Sequence, residues 1–155
     1  MRAGTTAERS ATIAAPAEAL WELIADPHHQ PRWWPGVLRV EGVRDRHFTQ
    51  VLTTRRGRPV RVDFEVTELQ PAVVAVWRQE LAGSPFARVL SESRIRIELE
   101  PAGEQTRVRI VQVQKLRGSS RTGGLMLRRA TRHRLDQALS GLAAIAGSDD
   151  LRTGR

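Results

Sequence analysis

Apolar residues recur with a period of two from Val37 to Leu116 and at helical spacing on either side of that stretch. Before it, Glu8 to Ile13 reads as a short strand, and Ala15-Pro16-Ala17-Glu18 opens a helix. Proline is tolerated at a first helical position because its missing N–H would have no partner there, and the acid faces the positive end of the helix dipole. Leu20, Trp21, Leu23 and Ile24 form the apolar face of this helix. Asp26-Pro27 ends it, since the residue before proline is pushed out of the α region. His28 to Pro35 leaves room for one or two more helical turns.

The period-two stretch divides at its turn residues into Val37–Val43, Phe48–Thr54, Val60–Thr67, Val73–Leu81, Phe86–Glu100 and Thr106–Leu116. Val60, Val62, Phe64 and Val66 alternate with polar residues, as a half-buried antiparallel strand requires. Between Phe86 and Glu100 the same alternation places Val89, Ser91, Ser93, Ile95, Ile97 and Leu99 on one face. A meander this long bends, and its one apolar face needs a cover. Leu135, Ala138, Leu139, Leu142, Ile145 and Ala146 supply it, on a helix predicted over Thr122 to Ala146 and about 37 Å long. The expected architecture is α+β: six or seven antiparallel strands curved around a long C-terminal helix, with two short helices after the first strand. One domain over residues 7–147 is expected, followed by a disordered polar tail at 148–155.

Composition narrows the chemistry. With no cysteine, neither disulfides nor thiolate metal sites are available, which fits a reducing cytoplasm. No apolar run approaches the about 20 residues of a transmembrane helix. The formal charge of +8 raises nucleic acid as a partner. However, the basic residues, all arginine except Lys115, are scattered along the chain and often alternate with apolar ones, as on solvated strand faces. Two local clusters remain as candidate phosphate patches: Arg55, Arg56 and Arg58 at a turn, and Arg128, Arg129, Arg132 and Arg134 on the last helix. Neither has stacking aromatics beside it, so nucleic acid is not the expected partner.

The words Ile13-Ala-Ala-Pro-Ala-Glu-Ala-Leu-Trp-Glu-Leu-Ile-Ala-Asp-Pro27 and Pro31-Arg-Trp-Trp-Pro-Gly-Val37 resemble the opening of the polyketide cyclase/dehydrase and lipid-transfer (SRPBCC) superfamily, related to START domains and to the major birch-pollen allergen. Arg58-Pro-Val, Thr67-Glu-Leu, Val76-Trp-Arg and Gly83-Ser-Pro-Phe86 fall where many bacterial members have similar words. The resemblance implies the helix-grip fold, with a ligand cavity between the concave sheet and the long helix. It is nearly silent on function, because this fold hosts many activities.

In such a fold the cavity walls would come from Leu20, Ile24 and Trp34 near the entrance, from Val62, Phe64, Val89, Val108 and Ile110 on the strands, and from Leu125, Thr131 and Leu135 on the helix. Ser91, Ser93, Gln112 and Gln114 share the inward phase toward one end. They either orient a ligand, or sit at frayed ends, or are turned outward by a β-bulge between Ile110 and Val113. Arg128 shares the stripe of Leu125, Thr131 and Leu135 and is the one charge expected near the cavity, where it could polarise a carbonyl or bind a carboxylate. Trp21 and Trp77 read as packing. Of the adjacent pair, one of Trp33 and Trp34 is expected to wall the cavity mouth and the other to stay partly exposed. His28, His29, His47 and His133 fall on loops or polar faces, and Asp63, Glu65 and Glu92 fall out of phase with the apolar side. No ligand set for a metal is spaced along the chain and no cofactor is expected.

Three functions fit this reading. A carrier or binding protein for a small hydrophobic or aromatic molecule needs only the cavity. A polyketide cyclase, aromatase or dehydratase would use Arg128, Ser91, Ser93, Gln112 or Gln114 to guide ring closure in it. A membrane- or RNA-associated module would use the basic surface. Monomer and homodimer are both open.

Overall fold

The structure, a computed structural model, describes residues 4–118 and 121–148. Seven antiparallel strands form one sheet in the order β1-β7-β6-β5-β4-β3-β2. They run β1 Gly4–Ile13, β2 Val37–Arg44, β3 His47–Thr53, β4 Pro59–Gln70, β5 Val74–Gln79, β6 Leu90–Ala102 and β7 Gln105–Leu116. The helices are α1 Ala17–Ala25, the short α2 Gln30–Trp33 and the long α3 Arg121–Ala146. This is the helix-grip α+β architecture, and the period-two stretch yields six of its strands. The first strand is longer than the sequence pattern indicates. It begins at Gly4 because its inward residues, Thr5 and Ala7, are small and give almost no hydrophobic signal although both are buried.

The core lies between the concave face and α3. Leu135, Ala138, Leu139, Leu142, Ile145 and Ala146 are buried on one stripe of α3, as their spacing predicts. Against them lie Leu20, Leu23 and Ile24 of α1 and the inward residues of β4 to β7. α2 approaches α3 so closely that a Cβ at Gly141 would stand 2.5 Å from the Trp33 carbonyl oxygen, so only glycine fits there. The Trp33 indole donates from Nε1 to the Leu23 carbonyl oxygen at 3.2 Å, tying α2 to α1.

Trp33 and Trp34 correct the expectation that one ring stays exposed, for both are buried. The helix stops between them: Trp34 has extended backbone angles (φ −85°, ψ 127°), so its ring leaves the helical direction and both rings reach the interior. Trp33, Trp34, Trp77, Phe48 and Phe64 then form one aromatic cluster. Phe48 stacks on Phe64 with centroids 5.2 Å apart, and the two meet Trp77 edge to face.

The convex face is polar and its charges are matched. Arg78 meets Glu65, Arg96 meets Glu68 and Glu98, Arg109 meets Glu8 and Glu98, and Lys115 meets Glu92. Their aliphatic stems cover outward apolar residues such as Val76, which is buried although it faces away from α3. The alternating arginines are thus a solvated outer face, as their spacing implies. Among the described residues, no helix is long and apolar enough to cross a membrane.

Candidate functional site

The concave sheet and α3 do not close completely. A hollow of about 110 Å³ remains, walled by Trp34, Phe64 and Phe86 and by the aliphatic Leu52, Val62, Leu90 and Ile95. Its polar lining is Gln50, Gln79, Gln112, Gln114 and Arg134. Gln50 follows Phe48 at period two on β3, and Gln112 and Gln114 continue the phase of Val108 and Ile110 on β7.

Pairing along β7 is regular on both sides from Thr106 to Lys115. Gln112 lies opposite Ala7 and Ile95, and Gln114 opposite Thr5 and Ser93, so the bulge considered between Ile110 and Val113 is not there. The Thr131 hydroxyl of α3 donates to Gln114 Oε1 at 3.0 Å, fixing that amide against the helix. Gln50 Nε2 donates to Gln30 Oε1 at 2.7 Å, inside the core. Two buried polar atoms near this network, Gln30 Nε2 and Ser93 Oγ, have no hydrogen-bond partner. Such atoms are uncommon in folded proteins and mark places where a further polar group would be favourable.

Among the described residues, Arg134 is the one ionisable side chain that borders the hollow. Much of its side chain remains exposed, yet desolvation of the guanidinium pulls its pKa below the usual arginine value. It remains a cation at any ordinary pH. Arginine at the rim of an apolar space is suited to a carboxylate, an enolate or a polarised carbonyl.

Trp34, Val62, Phe64, Gln112 and Gln114 line this space as the sequence pattern predicts. Leu20, Ile24, Val108, Ile110 and Leu135 are buried in the packed core rather than on the lining. Ser93 and Thr131 are buried beside it.

Four expected residues sit elsewhere. The strand predicted from Phe86 begins only at Leu90, because Pro85–Arg88 forms a 3-10 turn. A bulge between Leu90 and Glu92 then shifts the register, so Leu90 and Ser93 point inward. Val89 is consequently 54% exposed, and Ser91 is half-buried with its hydroxyl directed to the Lys115 carbonyl oxygen. Leu125 is 58% exposed, because the first turns of α3 run beside the edge strand β1, with Gly124 against Thr5. Arg128 falls with Leu125 in an outer groove between α3 and β1, and Arg134, nearer the middle of the helix, takes the place expected for it.

A wider cleft of about 690 Å³ lies where β6 departs from the end of β5, bordered by Leu81, Ala82, Ser91, Glu92 and Ser93. Gln79 lines both this cleft and the hollow. No histidine lines either space, though His47 reaches Glu80 at the border of the cleft. His28 and His29 lie against Asp26, and His47 against Glu80. Burial raises the Asp26 pKa, but hydrogen bonds from the His28 backbone and ring outweigh it and leave the carboxyl below its ordinary value. Among the described residues, no group of three or more His, Cys, Asp or Glu is placed to hold a metal ion.

Zhui aromatase/cyclase from Streptomyces sp. R1128 is similar over 98% of this chain and 99% of its own, with a TM-score of 0.78 at 16% identity. A START superfamily protein from Mycobacterium smegmatis gives a TM-score of 0.74 at 13% identity, covering 91% of this chain and 96% of that one. The di-domain ARO/CYC BexL from the BE-7585A biosynthetic pathway is 24% identical, with a TM-score of 0.74 over 90% of this chain and 45% of its own. At these identities the likeness establishes the fold. The comparison with curated proteins gives no match. The family model described as polyketide cyclase/dehydrase and lipid transport matches residues 4–147, and to that family the chain belongs.

Proposed function

We propose that this protein binds a small, largely apolar molecule with oxygen substituents in the hollow between the sheet and α3, as a carrier or binding protein. The observation that supports the reading is convergence: Gln50, Gln112, Gln114 and Arg134 face a space whose other walls are aromatic and aliphatic. A few placed polar groups on an apolar wall orient a ligand and select it. The volume of about 110 Å³ restricts what enters. Cavities of roughly 150 Å³ hold a benzene-sized molecule, so this smaller hollow takes the compact end of a ligand, or a single ring once the lining side chains give way. The rest of a longer molecule would extend past Gln79 toward the cleft beside β6.

Cyclisation or dehydration of a poly-ketone chain is the second reading, and membership of the family favours it. Arg134 and the glutamines are suited to polarise a carbonyl. General acid–base chemistry also needs a proton acceptor, and among the described residues none lines the hollow itself, so binding ranks first.

Native mass spectrometry of the purified protein, followed by titration with single-ring aromatic ketones and carboxylates, tests this reading. Ligand is expected to shift the resonances of Gln112, Gln114 and Trp34, and Arg134→Gln is expected to weaken binding about tenfold for carboxylates, a loss of about 1.4 kcal/mol. Absence of any saturable change at these residues overturns the proposal. Ring products released from a poly-ketone probe would promote the second reading.

A further inference from the structure

Along the outside of α3 lies a second, separate groove of about 380 Å³, bordered by Arg9 of β1 and by Leu125, Arg128, Arg129, Arg132, His133 and Asp136 of the helix. Its charge balance differs from that of the sheet. On the convex face the strand cations meet glutamates, whereas Asp136 is the one acid of this groove and it pairs with Arg9, at 3.4 Å. Arg128, Arg129 and Arg132 have no acidic partner among the described residues. Arg128 is half-buried, and its Nε is withdrawn from solvent without any hydrogen-bond acceptor. A buried guanidinium N–H without an acceptor is costly, and the cost is relieved when an anionic oxygen fills the position.

The geometry points to a binding site for a phosphate group in this groove, held by Arg128, Arg129 and Arg132. Three guanidinium forks offer more donors than a carboxylate has oxygens to accept them, and a tetrahedral phosphate has both the acceptors and the double charge to match. Arg128 supplies the inward donor, while Arg129 and Arg132 close over the outer oxygens. Leu125, exposed at the N-terminal rim, gives the site an apolar shoulder. That shoulder suits a phosphate ester with a hydrocarbon part, either a soluble ester or a lipid headgroup. Arg134 of the same helix borders the interior hollow, so the two sites share α3 but no lining residue.

The test follows the arginine Nε–Hε resonances of the full chain during titration with inorganic phosphate at constant ionic strength. A parallel arm measures flotation with phosphatidate vesicles against phosphatidylcholine vesicles. The wild type is compared with Arg128→Gln/Arg132→Gln, and with Arg61→Gln on the sheet as a charge control. A saturable shift at Arg128 and Arg129 is expected in the wild type and the control, with the affinity read at the remaining Arg129 resonance weakened at least tenfold in the double variant. Flotation with phosphatidate that the double variant loses would support the site with a lipid as its source. Phosphate saturation without flotation would support a soluble ester. Neither response, or equal responses in all three proteins, overturns the proposal, and the interior hollow is untouched by either result.

Discussion

At one end of the grip Trp33, Trp34, Trp77, Phe48 and Phe64 meet ring to ring, with centroids between 5.2 and 6.3 Å apart. At the other, Gln50, Gln112, Gln114 and Arg134 face unfilled space, and Ser93 Oγ and Gln30 Nε2 lack partners. Trp34 and Phe64 stand at the border and belong to both. The same sheet and helix therefore serve two purposes. Aromatic burial removes a large apolar area from water and stabilises the fold. Buried amides contribute little net stability, because they exchange bonds to water for bonds to protein. Their presence at one end accords with the binding proposed for the hollow.

The largest expected effect comes from the packed end. Trp77 is buried, touches four other rings and lies opposite Ile95 on β6. Trp77→Ala is expected to lower the unfolding free energy by about 3–5 kcal/mol in urea denaturation, through lost transfer energy and the cavity left behind. A loss below about 1 kcal/mol would mean that this end is as loosely filled as the other.

At the polar end the expected effect is smaller and of opposite sign. Ser93 is 1% exposed and its hydroxyl has no partner, so the folded state bears its desolvation without return. Ser93→Ala is expected to leave stability unchanged or raise it by up to about 1 kcal/mol. A clear destabilisation in the same urea assay would show that the hydroxyl is satisfied, and the contrast between the two ends would shrink.

Much of this was legible along the chain, and the exceptions have local causes. Six strands and the long helix follow from two periods, because nearly every element has one buried face, β5 with both faces buried being the exception. The phase of Gln112 and Gln114 could be read directly, since β7 pairs regularly on both sides from Thr106 to Lys115. Val89 and Ser91 could not be placed, because a single extra residue in β6 reverses which side chains face inward and leaves no mark in the hydrophobic pattern. Gln50 carried a usable signal at the period of Phe48 and Leu52, but amides are usually read as surface. Arg134 stood beside Leu135, one turn before Ala138, at the edge of the buried stripe. Extending that stripe back to Leu125 failed because the start of α3 runs along an edge strand, where the sheet covers one side of it alone.

The smallest expected effect separates the interior from the surface by pH. Glu41 accepts hydrogen bonds from Arg39 Nε at 2.7 Å and from Arg61, and these two partners hold its carboxyl below the usual glutamate range. Glu92 is lowered in the same way, chiefly by its hydrogen bond to Lys115. For a carboxyl whose folded pKa is depressed, the stabilisation is present above the unfolded value of about 4.3 and disappears as pH falls through the folded value. Both groups are at the surface, so the decline should be shallow and weaker still in high salt. The urea midpoint is therefore expected to fall slightly below about pH 4, and Glu41→Gln should flatten part of that fall. The hollow is lined by amides, apolar groups and a guanidinium, none of which titrates in this range. Affinity for a neutral aromatic ketone, measured while the protein remains folded, should then stay constant across the same interval. A parallel loss of affinity would place a titrating group at the polar end and break the separation between the two regions.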